Sequence, residues 1–213
     1  MIAARNVSAI VLAAGGSSRF GGPKTLAQLG SRPVLQHVLD VASRPGFREV
    51  VVVLGRDAGE IERLMCWRGE RRVRNPNPEA GLSSSLKVGL DSADPASEAA
   101  LLLLGDQPLV RDDVIARLLA GFASAARPIV IPRYLDGGGP NPLLIHRVAW
   151  TLALEARGDR GLGPLLRDHS DLIVEIEMTG SNPDIDTPED LARLESALGR
   201  PAQDRRPSDQ APG

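Results

Sequence analysis

The sequence predicts a single α/β domain, a mostly parallel sheet with helices on both faces and a small β-hairpin excursion. Two observations carry this. Four short runs, residues 7–14 (VSAIVLAA), 49–55 (EVVVVLG), 99–105 (AALLLLG) and 128–132 (PIVIP), are nearly continuous in Val, Ile, Leu and Ala. A strand covered on both faces shows no polar side to water, so continuous runs mark a buried parallel sheet. The stretches between them space their apolar residues by three and four, which gathers those side chains on one stripe of a helix. Strands alternating with helices build a parallel sheet through right-handed crossovers. At 213 residues the chain is long enough to bury one substantial core.

Taken in order, the first strand (7–14) runs into a glycine-rich loop, and the first helix follows only at RPVLQHVLDVAS (32–43). The strand at 49–55 leads to a helical stretch at 57–69, and SSSLKVGLDSA (83–93) forms the next helix, with Ser83, Ser84 and Ser85 available to cap it. The strand at 99–105 precedes the helix RDDVIARLLAGFASA (111–125). Beyond Pro132, RYLDGGGPNPLLI (133–145) reads as a hairpin at the sheet edge, because Gly137 to Gly139 reach backbone angles closed to other residues. Helices at 146–156 and 161–169, a strand at 171–178 and a helix at 187–198 complete the domain, expected to span 1–199. Thr187 caps that last helix, Pro188 fits its first turn, and Glu189 and Asp190 suit its positive end. From Arg200 to Gly213 almost nothing can be buried, which predicts a disordered tail.

Composition narrows the function. A net charge of -2 provides no basic field, which argues against a nucleic-acid partner. The single cysteine, Cys66, excludes an internal disulfide and a cysteine-rich zinc site, and its neighbours Met65 and Trp67 suggest a packed thiol. No apolar stretch reaches the roughly 20 residues of a membrane span, and the polar start MIAARN lacks a signal-peptide core, so the expectation is a cytoplasmic protein without a membrane partner. His37, His146 and His169 stand apart in helical or boundary contexts and read as structural.

The loop LAAGGSSRFGGPK (12–24) is the chemical clue. It lies beyond the carboxyl end of a parallel strand, where open α/β sheets bind ligands. Glycines there let backbone N–H groups approach an anion, and Arg19 and Lys24 add full positive charges, which suits a phosphate. The spacing of a dinucleotide-binding fingerprint is absent, and Pro23 stands where a Walker loop needs an N–H donor. A mobile Gly-Ser loop without a ligand is the alternative reading. Asp106, at the end of the strand AALLLLG, stands on the same rim, and Asp186, ahead of the last helix, can reach it. One or two carboxylates completed by phosphate oxygens and water suit Mg²⁺, and Mn²⁺ accepts the same ligands. Asp106 in GDQP also suits a plain turn, and Asp186 a helix start.

The loop resembles the signature L-A-[AG]-G-x-S-x-R-x-G-x-x-K of the MobA-like nucleotidyltransferases, and NPEAGLSSSLKVGL (77–90), LLLLGDQPLV (101–110) and DIDTPEDL (184–191) resemble three further blocks in the same order. All four are most similar to the molybdenum cofactor cytidylyltransferases, with Ala13-Ala14-Gly15 resembling the cytidylyl rather than the guanylyl branch. The resemblance implies a Rossmann-like three-layer α/β/α nucleotidyltransferase fold and Mg²⁺-dependent transfer of CMP from CTP to molybdopterin, with pyrophosphate released. Another NTP, or another phosphorylated acceptor such as a sugar phosphate, stays open, as does a molybdenum hydroxylase as recipient of the product.

The resemblance also implies roles. Lys24 and Arg19 bind the departing phosphates, and Leu12, Ala13, Ala14, Gly15, Gly16 and Ser17 contact the nucleotide. Gly81, Leu82 and Ser83 lie over base and ribose, Gly105 and Asp106 also contact the nucleotide, and Asp106 holds the metal with Asp186, or with Asp184, as second carboxylate. Gln107, Pro108 and Asn141 are expected near the acceptor. Where those cytidylyltransferases usually carry Gly-His-Pro, this chain has Pro140-Asn141-Pro142, and an Asn cannot carry a proton or a charge at neutral pH.

Overall fold

The computed structural model describes residues 2–16, 19–158 and 162–198. The chain forms β1 (Val7–Ala13), a short hairpin of β2 (Gln28–Leu29) and β3 (Arg32–Pro33), α1 (Val34–Ala42), β4 (Glu49–Leu54), α2 (Ala58–Leu64), β5 (Arg71–Arg74) and α3 (Leu82–Ser92). It continues through β6 (Ala99–Leu104), α4 (Asp112–Ser124), β7 (Ile129–Tyr134), β8 (Leu143–His146), α5 (Trp150–Leu154), α6 (Gly163–Asp168), β9 (Ile173–Met178) and α7 (Pro188–Leu198). The predicted end of the domain at 199 and the tail beyond it lie outside the described residues.

The main sheet runs β5-β4-β1-β6-β8-β7-β9, and every strand but β8 is parallel to its fellows. β1 is buried along its whole length, which is why its sequence shows no polar alternation. Its residues still alternate between faces. Val7, Ala9, Val11 and Ala13 pack with Leu35, Leu39, Ile115 and Leu118 of α1 and α4. Ile10 and Leu12 point the other way, onto Leu86 and Leu90 of α3 and Trp150 of α5. These two layers are the core. A third cluster joins Leu29 and Val34 to Ile185 and Leu194, so α7 packs on the β2–β3 hairpin.

The structure contains the expected hairpin but corrects its place. β7 and β8 do pair antiparallel, but β8 lies between β6 and β7 rather than at the edge. Leu143, Leu144 and Ile145 are at most 1% exposed, so their burial is satisfied only inside the sheet. The actual edges are β9, with Glu175 and Glu177 facing outward, and the arginine-rich β5, which the sequence reading did not mark as a strand. Charged side chains along an edge discourage pairing with another chain.

Three local expectations also change. The helix expected over 57–69 ends at Leu64, and Cys66 is exposed, not packed, while Met65 beside it is buried. The backbone N–H of Cys66 donates to Gln36 Oε1 (2.8 Å), which fixes the turn and sends the thiol outward. No serine caps α3. Its N-cap is Gly81 at φ 89°, a conformation that favours glycine, and Ser84 Oγ donates back to the carbonyls of Gly81 (2.9 Å) and Asn77 (2.8 Å). By contrast Thr187 caps α7 as expected, and Asp190, expected there only as a charge, closes the cap from the other side: Asp190 N–H donates to Thr187 Oγ1 (3.2 Å) and Thr187 N–H to Asp190 Oδ2 (2.9 Å). His37 Nε2 lies 3.0 Å from the Leu29 carbonyl, and the His146 ring stacks on Phe122, both structural contacts. Among the described residues, no helix is long and apolar enough to cross a membrane.

Candidate active site

From β1 the chain goes first to β4 on one side and returns to β6 on the other. The connections diverge at the carboxyl end of β1, and such a switch point leaves a crevice. A cleft of about 630 Å³ opens there. Leu12, Ala13, Ala14, Gly15 and Gly16 form its floor, Arg19 and Lys24 one wall, Asp106 and Asp186 the neighbouring corner, and Gly81 and Leu82 the far side. The strand exits need small residues to sit this close. A Cβ on Gly55 would come 2.6 Å from the Ala14 carbonyl oxygen, and the Gly105 N–H donates to the Leu12 carbonyl at 2.9 Å.

Lys24 is the centre of the charged corner. It is 9% exposed, and its Nζ lies 2.5 Å from Asp106 Oδ2 and 2.9 Å from Asp186 Oδ1, while Arg19 reaches Asp186 Oδ2 at 2.9 Å. Burial works against the Lys24 ammonium, but Asp106 and Asp186 outweigh it and hold its pKa above the usual value. The hydrogen bond from Lys24 lowers the pKa of Asp186 against a smaller effect of burial.

Two contacts bring residues eighty positions apart to this corner. Ile185 is fully buried in the third cluster, and its N–H donates to the Asp106 carbonyl at 3.0 Å. Asp190 Oδ2 then accepts from the Asp186 N–H at 3.2 Å. Asp186, not Asp184, thereby shares Lys24 with Asp106. Asp184 takes a hydrogen bond from Gln107 Nε2 (2.8 Å), and burial, then the nearby Asp106, push its pKa up.

The structure thus brings most of the sequence-predicted residues together, but not all. Ser17 lies outside the described residues. Ser83 is buried behind the wall, and Ser85 faces the cleft instead. Gly105 packs beneath the floor against Ala13. Gln107 is 2% exposed and spent on Asp184 and Asn182, and Pro108 is buried. Asn141 lines an adjoining apolar pocket of about 130 Å³ that shares Leu12, Leu82 and Leu104 with the cleft. Sequence reasoning missed Thr25, Arg56, Asp57, Pro78 and Glu79, all of which line the cleft. Arg56 and Asp57 follow β4 directly, so the strand-end rule that located the glycine loop also applies to them.

The donor set suits a hard divalent cation. Asp106 Oδ2 and Asp186 Oδ1 share one ammonium, so they lie within about 5.4 Å of each other, the sum of their two contacts to it. Among the described residues, no group of three or more His, Cys, Asp or Glu side chains forms a closed metal site. Two carboxylates in an open cleft fit an ion that completes its shell with phosphate oxygens and water.

The MobA-like NTP transferase domain matches residues 9–172. Among solved structures, the Rv0371c homolog from Mycobacterium sp. strain JC1 is 32% identical with a TM-score of 0.81, covering 91% of this chain and 96% of that one. Rv0371c of Mycobacterium tuberculosis H37Rv, solved in complex with manganese, is 30% identical with a TM-score of 0.78 over 90% and 98%. Among curated proteins, the bifunctional protein GlmU of Sorangium cellulosum is 29% identical over 80% of this chain, which spans only 33% of that protein's length. Nicotine blue oxidoreductase of Paenarthrobacter nicotinovorans is 29% identical over 88% of this chain and 96% of its own.

Proposed function

The chain belongs to the MobA-like NTP transferase domain family, and we propose that it transfers CMP from CTP to molybdopterin with release of pyrophosphate. The observation that carries the reading is the corner where Lys24 and Arg19 face Asp106 and Asp186 beside a glycine floor. Transfer of a nucleotidyl group crowds negative charge around one phosphorus, so the protein's work is positioning and neutralisation. A divalent cation held by Asp106 and Asp186, Mg²⁺ or Mn²⁺, would supply part of that neutralisation. When the nucleotide binds, Lys24 and Arg19 exchange their carboxylate partners for the β- and γ-phosphates and stabilise the leaving pyrophosphate. Backbone N–H groups of the loop approach the phosphates, and Gly81 and Leu82 face base and ribose. A phosphate monoester acceptor is largely ionised at neutral pH, its second pKa being about 6, so no histidine base is required. That agrees with the structural roles of His37 and His146.

The acceptor approaches from the side of Asn141, through the apolar pocket beside the cleft. The departure from Gly-His-Pro at this point keeps a related phosphorylated acceptor, or another NTP, in view. A second reading, an oxidoreductase activity on the same scaffold, draws on the end-to-end similarity to nicotine blue oxidoreductase. One experiment separates them. Purified protein with Mg²⁺ or Mn²⁺ and each NTP is followed for pyrophosphate release with molybdopterin, with a sugar phosphate and with neither. Release with CTP and molybdopterin alone is expected. Nucleotide binding without release on either acceptor would defeat the molybdopterin and sugar-phosphate assignments and send the search to other phosphorylated acceptors.

A further inference from the structure

A string of buried polar side chains leads from the charged corner to the apolar pocket, and the phosphate chemistry uses none of it. Gln107 directly follows Asp106, and its Nε2 donates to Asp184 Oδ1 at 2.8 Å. Asn182, between β9 and α7, donates from Nδ2 to Gln107 Oε1 at 3.1 Å and to the Asn141 carbonyl at 3.4 Å. Tyr134 Oη donates to the same carbonyl at 3.1 Å, and burial pushes its pKa up to about 12, so it stays protonated. The backbone of Asn182 also bridges to Gly138, on the same excursion as Asn141. Both ends of the string, a carboxylate and a carbonyl, only accept, so the two amides between them can serve both in one orientation alone.

Asn182 is 1% exposed and lines neither the cleft nor the pocket, so it can act only through the groups it holds. Among the described residues, its Oδ1 is the one buried side-chain oxygen or nitrogen without a hydrogen-bond partner. Burying an unpaired oxygen is costly, and a leucine, with the same branching and no polar atom, would avoid that cost. What a leucine could not do is donate twice. Resting on the transferase reading above, we propose that Asn182 is a positioning residue for the acceptor, tying the Asn141 carbonyl at the pocket to Gln107 beside Asp106. The acceptor phosphate has to meet the α-phosphorus in line, and a misplacement of about 1 Å can cost about a hundredfold in rate. A fixed distance between Asn141 and the metal corner supplies that alignment.

Pyrophosphate release by the whole chain at saturating CTP, with molybdopterin or a sugar phosphate varied, is measured beside calorimetric titration of CTP with Mn²⁺. Asn182→Leu keeps the branching of the side chain and adds no charge. It is expected to lower kcat/KM for the acceptor about tenfold or more, while CTP binds as it does to the wild type. Tyr134→Phe removes the second donor to the Asn141 carbonyl and lowers the same ratio by a smaller factor; it decides the question if Asn182→Leu does not fold. A general structural defect would instead weaken CTP and acceptor together. Acceptor kcat/KM at the wild-type value in the variants, or a loss of CTP binding in step with it, overturns the positioning role and leaves the transferase reading intact. No release by the wild type on either acceptor defeats those acceptor assignments, and the positioning role with them.

Discussion

Replacing Lys24 by Met removes the cation that two carboxylates share, while keeping the length of the side chain. Lys24 Nζ is 2.5 Å from Asp106 and 2.9 Å from Asp186, and its side chain is 11% exposed against 19% and 36% for the two acids. Stripping one partner from a buried pair costs about 3–5 kcal/mol, and the partial exposure of Asp186 reduces that here to about 2 kcal/mol. For a domain of this size each kcal/mol is worth about 2–4 °C, so the melting temperature in EDTA at pH 7 is expected to fall by about 4–8 °C. The pH dependence supplies the check. Lys24 lowers the folded-state pKa of Asp186 below 3.8, so the stability this acid contributes is present above that unfolded value and is lost as pH falls through the folded one. The penalty of Lys24→Met should therefore shrink as the protein is melted at successively lower pH. Mn²⁺ should restore more stability to the variant than to the wild type, because its carboxylates no longer have an ammonium to surrender. A variant as stable as wild type at pH 7 in EDTA, or one with the same penalty at acid pH, would refute the shared-ammonium account.

Asp106→Asn keeps the shape of the side chain but removes the charge proposed to hold the metal, and turnover is expected to drop by orders of magnitude with a smaller fall in melting temperature than Lys24→Met, because Asp186 still pairs with Lys24; near-normal pyrophosphate release would defeat its role. Gly55→Ala drives a methyl to 2.6 Å from the Ala14 carbonyl oxygen, so a loss of about 1–3 kcal/mol is expected in urea titration, with weakened nucleotide binding from the displaced floor. Asp40 is buried with Gln36, Arg68 and Arg32 as partners; burial raises its pKa, but those partners outweigh it and hold it below 3.8. Its stabilisation is present above that value and lost as pH falls through the folded one, so Asp40→Asn should flatten the acid limb of the stability curve. A curve of unchanged slope would remove Asp40 from that account.

The sequence by itself determined the layers and the loop. Continuous apolar runs mark strands covered on both sides, three-and-four spacing marks their helices, and glycines with two cations behind a strand mark an anion site. These are local patterns, readable because each is set by neighbours in the chain. Thr187 is legible as a cap for the same reason: a helix cap is closed within four residues. Only the tertiary structure decided where β8 goes, because its short run LLIH carries no sign of which strands flank it. Nor could any local pattern choose between Asp184 and Asp186. The choice is made by Ile185, whose burial against Leu29 and Leu194 and hydrogen bond to Asp106 turn Asp186 toward Lys24 and leave Asp184 to Gln107. Motif position implies ligand contacts for Gln107 and Ser83, and packing keeps both out of the cleft's lining. Arg56 and Glu79 entered it because β4 and the turn before α3 end on the same rim, a proximity that sequence distance conceals and sheet order creates.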